Sequence, residues 1–122
     1  MSKLEVSARM TIRKGKLEEF KRQTAECIRQ TKEKDTKTLR YDWFLSSDKT
    51  ECEIREVYES SDGLVEHRRM HIGEALDKLF SEFADDHAVS VYGEPSPQLV
   101  EMAKRMPQGR AKWYSFFKGL ES

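Results

Sequence analysis

A hydrophobic period that switches from two to helical spacing, and does so twice, most constrains this chain. Leu4, Val6, Ala8, Met10 and Ile12 alternate with Glu5, Ser7, Arg9 and Thr11, the pattern of a half-buried strand. Gly15 breaks it. Leu17, Phe20, Thr24, Cys27, Ile28 and Thr31 then recur at helical intervals opposite a face of Lys, Arg and Glu. This amphipathic helix is expected to end in the charged turn from Lys32 to Lys37. Period two returns in a second strand, with Leu39, Tyr41, Trp43 and Leu45 on one face and Phe44 on the other. Ser46-Ser47-Asp48-Lys49 reads as a hairpin turn. A third strand carries Cys52, Ile54, Glu56 and Tyr58 inward and Val57 outward. Ser60-Ser61-Asp62-Gly63 offers an N-cap for a second helix. Its broad apolar stripe takes in Leu64, His67, Met70 or His71, Ile72, Leu76, Leu79, Phe80 and Phe83, and Gly73 is placed to kink or split it. A fourth strand is expected from about His87 to Tyr92, closing at Gly93.

The order is β-α-β-β-α-β over roughly residues 3 to 93. That predicts an α+β, ferredoxin-like fold with an antiparallel sheet. With both helices on one face, the opposite face of the sheet is left bare. Residues 1–94 are read as the domain and 95–122 as an extension packed on it or on a partner. In the extension, Ser96 and Pro97 read as an N-cap and first helical residue. Leu99, Met102, Ala103 and Met106 give a short helix stopped by Pro107 and Gly109. Trp113, Tyr114, Phe116 and Phe117 follow so closely that they should dock on the domain, on a partner or over a pocket.

At 122 residues the chain suffices for one core and not for two. It is polar for a globular domain, with 37% hydrophobic and 36% charged residues, so a small core or one completed by another subunit is expected. Basic and acidic residues balance at 22 each, and no overall field favours nucleic acid or an anionic membrane. No apolar run approaches the ~20 residues of a membrane span, and no signal-peptide core is seen at the N-terminus. Cys27 and Cys52 make no metal or redox motif and fit reduced, packed thiols of a cytoplasmic protein.

The stretch from Arg55 to Met70 carries the chemistry. Glu56 and Tyr58 sit on a strand and His67 on the helix after it, groups able to hold and deprotonate a small organic molecule. A carboxylate inward on a strand has its pKa raised unless it is paired, and Glu56 is expected to meet His67, a ligand hydroxyl, or an arginine such as Arg9 or Arg40. For His67 the competing structural role is a hydrogen bond to a carbonyl or to Glu56 at the helix–sheet interface. Tyr41, Trp43 and Tyr58 could stack on a planar ligand or simply fill the core. His67 and His71 have the spacing of a zinc-helix pair, but the sequence H-R-R-M-H has Arg where a metalloprotease needs Glu. No metal site is expected. No glycine-rich phosphate loop or dinucleotide fingerprint appears, and Arg68, Arg69 and Arg110 read as solvated unless they greet an anionic substrate.

The same stretch resembles the antibiotic biosynthesis monooxygenase (ABM) domain, whose strand reads roughly Tyr-Glu-x-Trp-Glu before a helix with Leu-x-x-His. Glu56, Glu59, Leu64 and His67 fall on that pattern, and Tyr58 replaces the Trp. The resemblance implies a homodimeric α/β barrel in which two sheets pack face to face. It also implies oxidation of a small aromatic, quinol or polyketide-like substrate by molecular oxygen, with no cofactor. In that reading His67 and Glu56 are catalytic, and Tyr58, Trp43, Tyr41 and His71 bind substrate. A related haem-degrading branch relies on an Asn and a helical Trp. This chain contains no Asn, and neither Trp43 nor Trp113 lies on the second helix. Alternatives on the same fold are a non-catalytic small-molecule binder, an oxygen-independent isomerase, cyclase or decarboxylase, and a structural dimer.

Overall fold

The computed structural model describes residues 3–105 and 111–121. Strand β1 (Leu4–Ile12) leads into helix α1 (Leu17–Lys34), then β2 (Thr38–Leu45) and β3 (Glu51–Tyr58). The second helical region divides into α2 (Ser61–Val65), a π-helical turn (Glu66–His71) and α3 (Gly73–Glu82). Strand β4 (Ala84–Tyr92), helix α4 (Pro97–Lys104) and a short β5 (Ala111–Tyr114) complete the chain. The sheet order is β2-β3-β1-β4-β5. The first four strands are antiparallel neighbours, as the predicted ferredoxin-like order requires, and β5 adds to β4 in parallel.

Most boundaries follow the sequence pattern, and the departures have local causes. Strand β4 begins three residues earlier than expected, at Ala84, because the register against β1 shifts between Arg9 and Thr11 and lets the strand run on past Asp86, which sits at φ 57. In β2 the register shifts between Thr38 and Arg40. Leu39 falls in that irregularity and is exposed rather than inward. Ser60 occupies the N-cap position of α2 without a side-chain cap. Ser96 does cap α4, its Oγ accepting from the Leu99 N–H at 3.2 Å, with Pro97 at the first helical position. The expected helix end at Met106 and the stop at Pro107 and Gly109 lie outside the described residues, as does Arg110.

All the helices with buried faces cover one side of the sheet. One core cluster packs Phe20 and Cys27 of α1 and Ala75, Leu76 and Leu79 of α3 on Ala8, Met10, Cys52 and Ile54. A second gathers Leu4, Val6, Tyr58, Leu64, Val91 and Leu99. Leu99 is 2% exposed, burial that contributes ~1.5–3 kcal/mol and ties the C-terminal helix to the domain. Gly63 makes the close approach of α2 possible, since a Cβ there would lie 3.0 Å from Tyr58 Cβ and 3.1 Å from Lys37. The opposite sheet face is uncovered and polar. Ser7, Arg9, Glu53, Arg55, Ser90 and Lys112 surround Tyr92, which stacks on Tyr114 at 5.2 Å. Phe44 is also exposed, opposite the core, as the alternation predicts. Of the aromatic cluster, Trp113 and Tyr114 dock through β5, while Phe117 is 93% exposed within this single chain.

Candidate active site

Three local features converge beneath the helices. Helix α1 ends at Asp35, whose N–H still reaches the Thr31 carbonyl at 3.0 Å while its backbone turns extended. Its side chain thereby points inward and is 2% exposed. Strand β3 alternates, so Glu56 and Tyr58 are buried beside Ile54. Between α2 and α3 the chain widens by one residue per turn, the Ile72 N–H reaching back five residues to the His67 carbonyl at 3.0 Å. This turn presents His67 and His71 to one carboxylate. Asp35 Oδ2 accepts from His67 Nδ1 at 2.6 Å and Oδ1 from His71 Nδ1 at 2.5 Å. Thr38 also donates to Oδ2, at 2.5 Å.

The two buried carboxylates are tuned in opposite directions. Burial alone would raise the Asp35 pKa, but hydrogen bonds from His67, Thr38 and His71 outweigh it and hold the group below its ordinary value. Glu56 is raised, because burial dominates over the attraction of His67 and the hydrogen bond from Tyr58. The Tyr58 hydroxyl donates to Glu56 Oε1, and burial followed by that negative neighbour pushes its own pKa well up. With Nδ1 committed to Asp35, His67 has Nε2 left for proton exchange with a ligand. Tyr41 packs edge-on to His67 at 4.5 Å and to Trp43 at 5.7 Å. The Tyr41 hydroxyl and the Trp43 Nε1 are both buried without a partner at full hydrogen-bond geometry, and burial raises the Tyr41 pKa against a weak contact with Trp43 that draws it down. Such an orphan costs roughly 1–3 kcal/mol unless a ligand or water satisfies it.

Beside these groups lies an apolar cavity of about 60 Å³ at the seam between the two core clusters. Tyr41, Glu56 and His67 line one part of it. Val6, Ala8 and Val89 form its floor on the sheet, and Leu99, Met102 and Trp113 contribute the C-terminal wall. Arg68, Phe80 and His87 line it as well. His87 stacks on Phe80 with ring centroids 4.0 Å apart. Burial, assisted by Arg68, lowers its pKa from 6.5 to about 4, so it is neutral near pH 7.

The candidates named from sequence separate into two groups. Glu56, His67 and Tyr41 border the cavity; Tyr58, Trp43 and His71 do not. Tyr58 donates to Glu56, Trp43 packs edge-on to Tyr41, and His71 bonds the far oxygen of Asp35. Neither Arg9 nor Arg40 pairs with Glu56: Arg40 bonds Asp42 at 2.7 Å, and Arg9 is exposed on the outer side of β1. The partner of His67 is Asp35, not Glu56 or a carbonyl. Asp35 was hidden in a charged run that reads as a solvated turn. Its signal was indirect, two histidines four residues apart on an apolar stripe. His87 reads in the sequence only as a strand start.

Asp35, Glu66 and His71 bring donor atoms within 4.8 Å of one another. Those donors are already engaged: Asp35 by both histidines and Thr38, and Glu66 by the Thr36 N–H at 3.0 Å and its hydroxyl at 3.1 Å. The cluster is thus a closed hydrogen-bond knot tying the α1–β2 loop to the π-helical turn.

No family model and no curated protein sequence matches the chain. Solved structures do. MupZ from Pseudomonas fluorescens matches with a TM-score of 0.79 at 22% identity, over 98% of this chain and 94% of that one. A putative antibiotic biosynthesis monooxygenase from Nitrosomonas europaea matches at 0.66 and 21% identity, over 78% and 92% of the two chains. Another from Caulobacter crescentus matches at 0.67 and 18%, over 74% and 87%. The chain has the ABM fold. Glu56 and His67, which carried the resemblance in sequence, border the cavity of that fold. Among the described residues no helix is long and apolar enough to cross a membrane.

Proposed function

We propose that this protein is a cofactor-independent, ABM-type monooxygenase, in which His67 deprotonates a small aromatic, quinol or polyketide-like substrate that then reacts with molecular oxygen. The observation carrying this is the buried Asp35–His67 pair beside an apolar cavity that His67, Tyr41 and Glu56 line. His67 Nε2 takes the proton, and Asp35 offsets the charge this places on the ring. Tyr41 donates to the oxygen on which negative charge develops. Glu56, its pKa raised by burial, orients the substrate through a hydrogen bond. The resulting anion is electron-rich enough to reduce oxygen directly, and the apolar walls exclude water. For a methylene between aromatic rings, the methylene and one dioxygen give a carbonyl and one water.

In this reading residues 1–94 supply the catalytic unit and 95–122 a wall of its cavity. The protein works as a cytoplasmic homodimer joined through the uncovered sheet face around Tyr92, Tyr114 and Phe44. A second reading has its own support. An imidazole at His67 and a carboxyl of raised pKa at Glu56 border one cavity, a pairing suited to moving a proton between two substrate atoms in an oxygen-independent isomerisation or cyclisation. Substrate consumption measured with and without oxygen separates the two. Turnover of a hydroquinone or anthrone only in air, with matching oxygen uptake above autoxidation, supports the monooxygenase. Equal turnover without oxygen replaces it with the isomerase or cyclase.

A further inference from the structure

Arg68 lines two spaces at once. It borders the inner cavity with Glu56, His67 and His87, and it also borders an outer groove of about 770 Å³ between the π-helical turn, α3 and α4. Met102 is the other residue shared by both. The pair therefore marks a neck. The inner cavity, at about 60 Å³, is small, and a ligand longer than it would extend toward the groove between Arg68 and Met102.

The neck carries a cation that the protein only partly neutralises. Arg68 donates to Asp77 at 3.0 Å, but Asp77 is 69% exposed. An ion pair so open to water is worth little and is readily exchanged. The Arg68 charge is felt inside the cavity, where it draws down the pKa of both Glu56 and His87 behind the larger effect of burial. A guanidinium offers a planar fork matched to a carboxylate, and the cavity's low-dielectric wall strengthens such a bond. Further out, the groove is lined by Glu74 and Glu101 as well as by Arg69 and Arg105. Those carboxylates disfavour an anion there and leave the neck as its place.

We propose that Arg68 is an anion-recognition residue, and that the ligand of this cavity is an amphipathic acid whose aromatic hydroquinone or phenol end enters past Met102 while its carboxylate pairs with Arg68. This rests on the aromatic-substrate reading above and assigns the substrate class. Two hydroquinones test it: homogentisate, which carries an acetate arm, and neutral methylhydroquinone, titrated calorimetrically without oxygen. The intact protein should bind the acid about tenfold more tightly than the neutral ring. Arg68→Gln should reduce that ratio to near one by weakening the acid alone, and Arg68→Lys should restore part of it. Asp77→Asn, at an exposed position, removes the competing carboxylate and should tighten the acid about threefold with the neutral ring unchanged. Equal affinity of the two ligands in the intact protein overturns the assignment. So does a preference that survives Arg68→Gln with the fold intact, or an Asp77→Asn variant that binds the acid no better. If the ratio follows Arg68 while turnover ignores oxygen, the anion site stands and the monooxygenase reading falls. Failure of both ligands to bind overturns both.

Discussion

Asp35 and Glu56 are both buried carboxylates that act on the same imidazole, yet their environments drive them apart. Asp35, at the end of α1, gathers donors from His67, His71 and Thr38 and is stabilised as an anion. Glu56, in mid-strand, receives only the Tyr58 hydroxyl and is pushed toward the neutral acid. Burial is common to both; the number of donors decides the sign. The site thus sets two carboxyl groups of oppositely shifted pKa on the same imidazole, the kind of separation that acid–base chemistry uses.

The largest way to break this contrast is to remove the donor knot. Asp35→Ala leaves two histidines and Thr38 without their acceptor and should destabilise the fold by about 3–5 kcal/mol, read from urea unfolding at pH 7. A loss below 1 kcal/mol would mean the knot is not formed in solution. Next in size is His87, neutral at pH 7 with a pKa near 4. Its folded pKa lies below its ordinary 6.5, so stability is full above 6.5 and is lost as pH falls toward about 4, by up to about 3 kcal/mol. His87→Phe keeps the stack on Phe80 and should remove that loss, flattening the stability profile between pH 6.5 and 4.

The carboxylate pair itself predicts opposite slopes. A lowered Asp35 contributes stability above its ordinary 3.8 that is lost as pH falls below it. A raised Glu56 does the reverse: its contribution is full below 4.5 and is lost as pH rises through the folded value. Glu56→Gln should therefore narrow the fall in stability above pH 4.5, and Asp35→Asn the fall below 3.8. Slopes of the same sign in both variants would erase the distinction. The smallest effect is Tyr41→Phe. Deleting an unpartnered buried hydroxyl should leave stability unchanged or raise it by up to ~1 kcal/mol. It should also weaken hydroquinone binding several-fold, and a variant that loses stability instead would show that Tyr41 has a protein partner in solution.

The same contrast explains what the sequence made legible. Glu56 declared itself because strand alternation places it between Ile54 and Tyr58, a local pattern with only one physical outcome. His67 did so because it falls on the apolar stripe. Asp35 did not, since it stands among Lys32, Glu33, Lys34 and Lys37 and becomes buried only where the helix end meets a turn 32 residues away. Gly73 marked the helix break, but the wide turn before it, which lets both histidines share one acid, depends on tertiary contacts. The order of elements followed from periodicity, whereas β5 was invisible: four residues gain strand geometry only from the open edge of β4.

The central claim is that His67, held by Asp35, removes a proton from a cavity-bound substrate that oxygen then attacks. Oxygen uptake by the intact protein with hydroquinones and anthrones, run beside His67→Ala, tests it most directly. Uptake above autoxidation is expected in the intact protein, with a fall of roughly 10²–10⁴-fold in kcat in the variant. Uptake that His67→Ala leaves unchanged would contradict it.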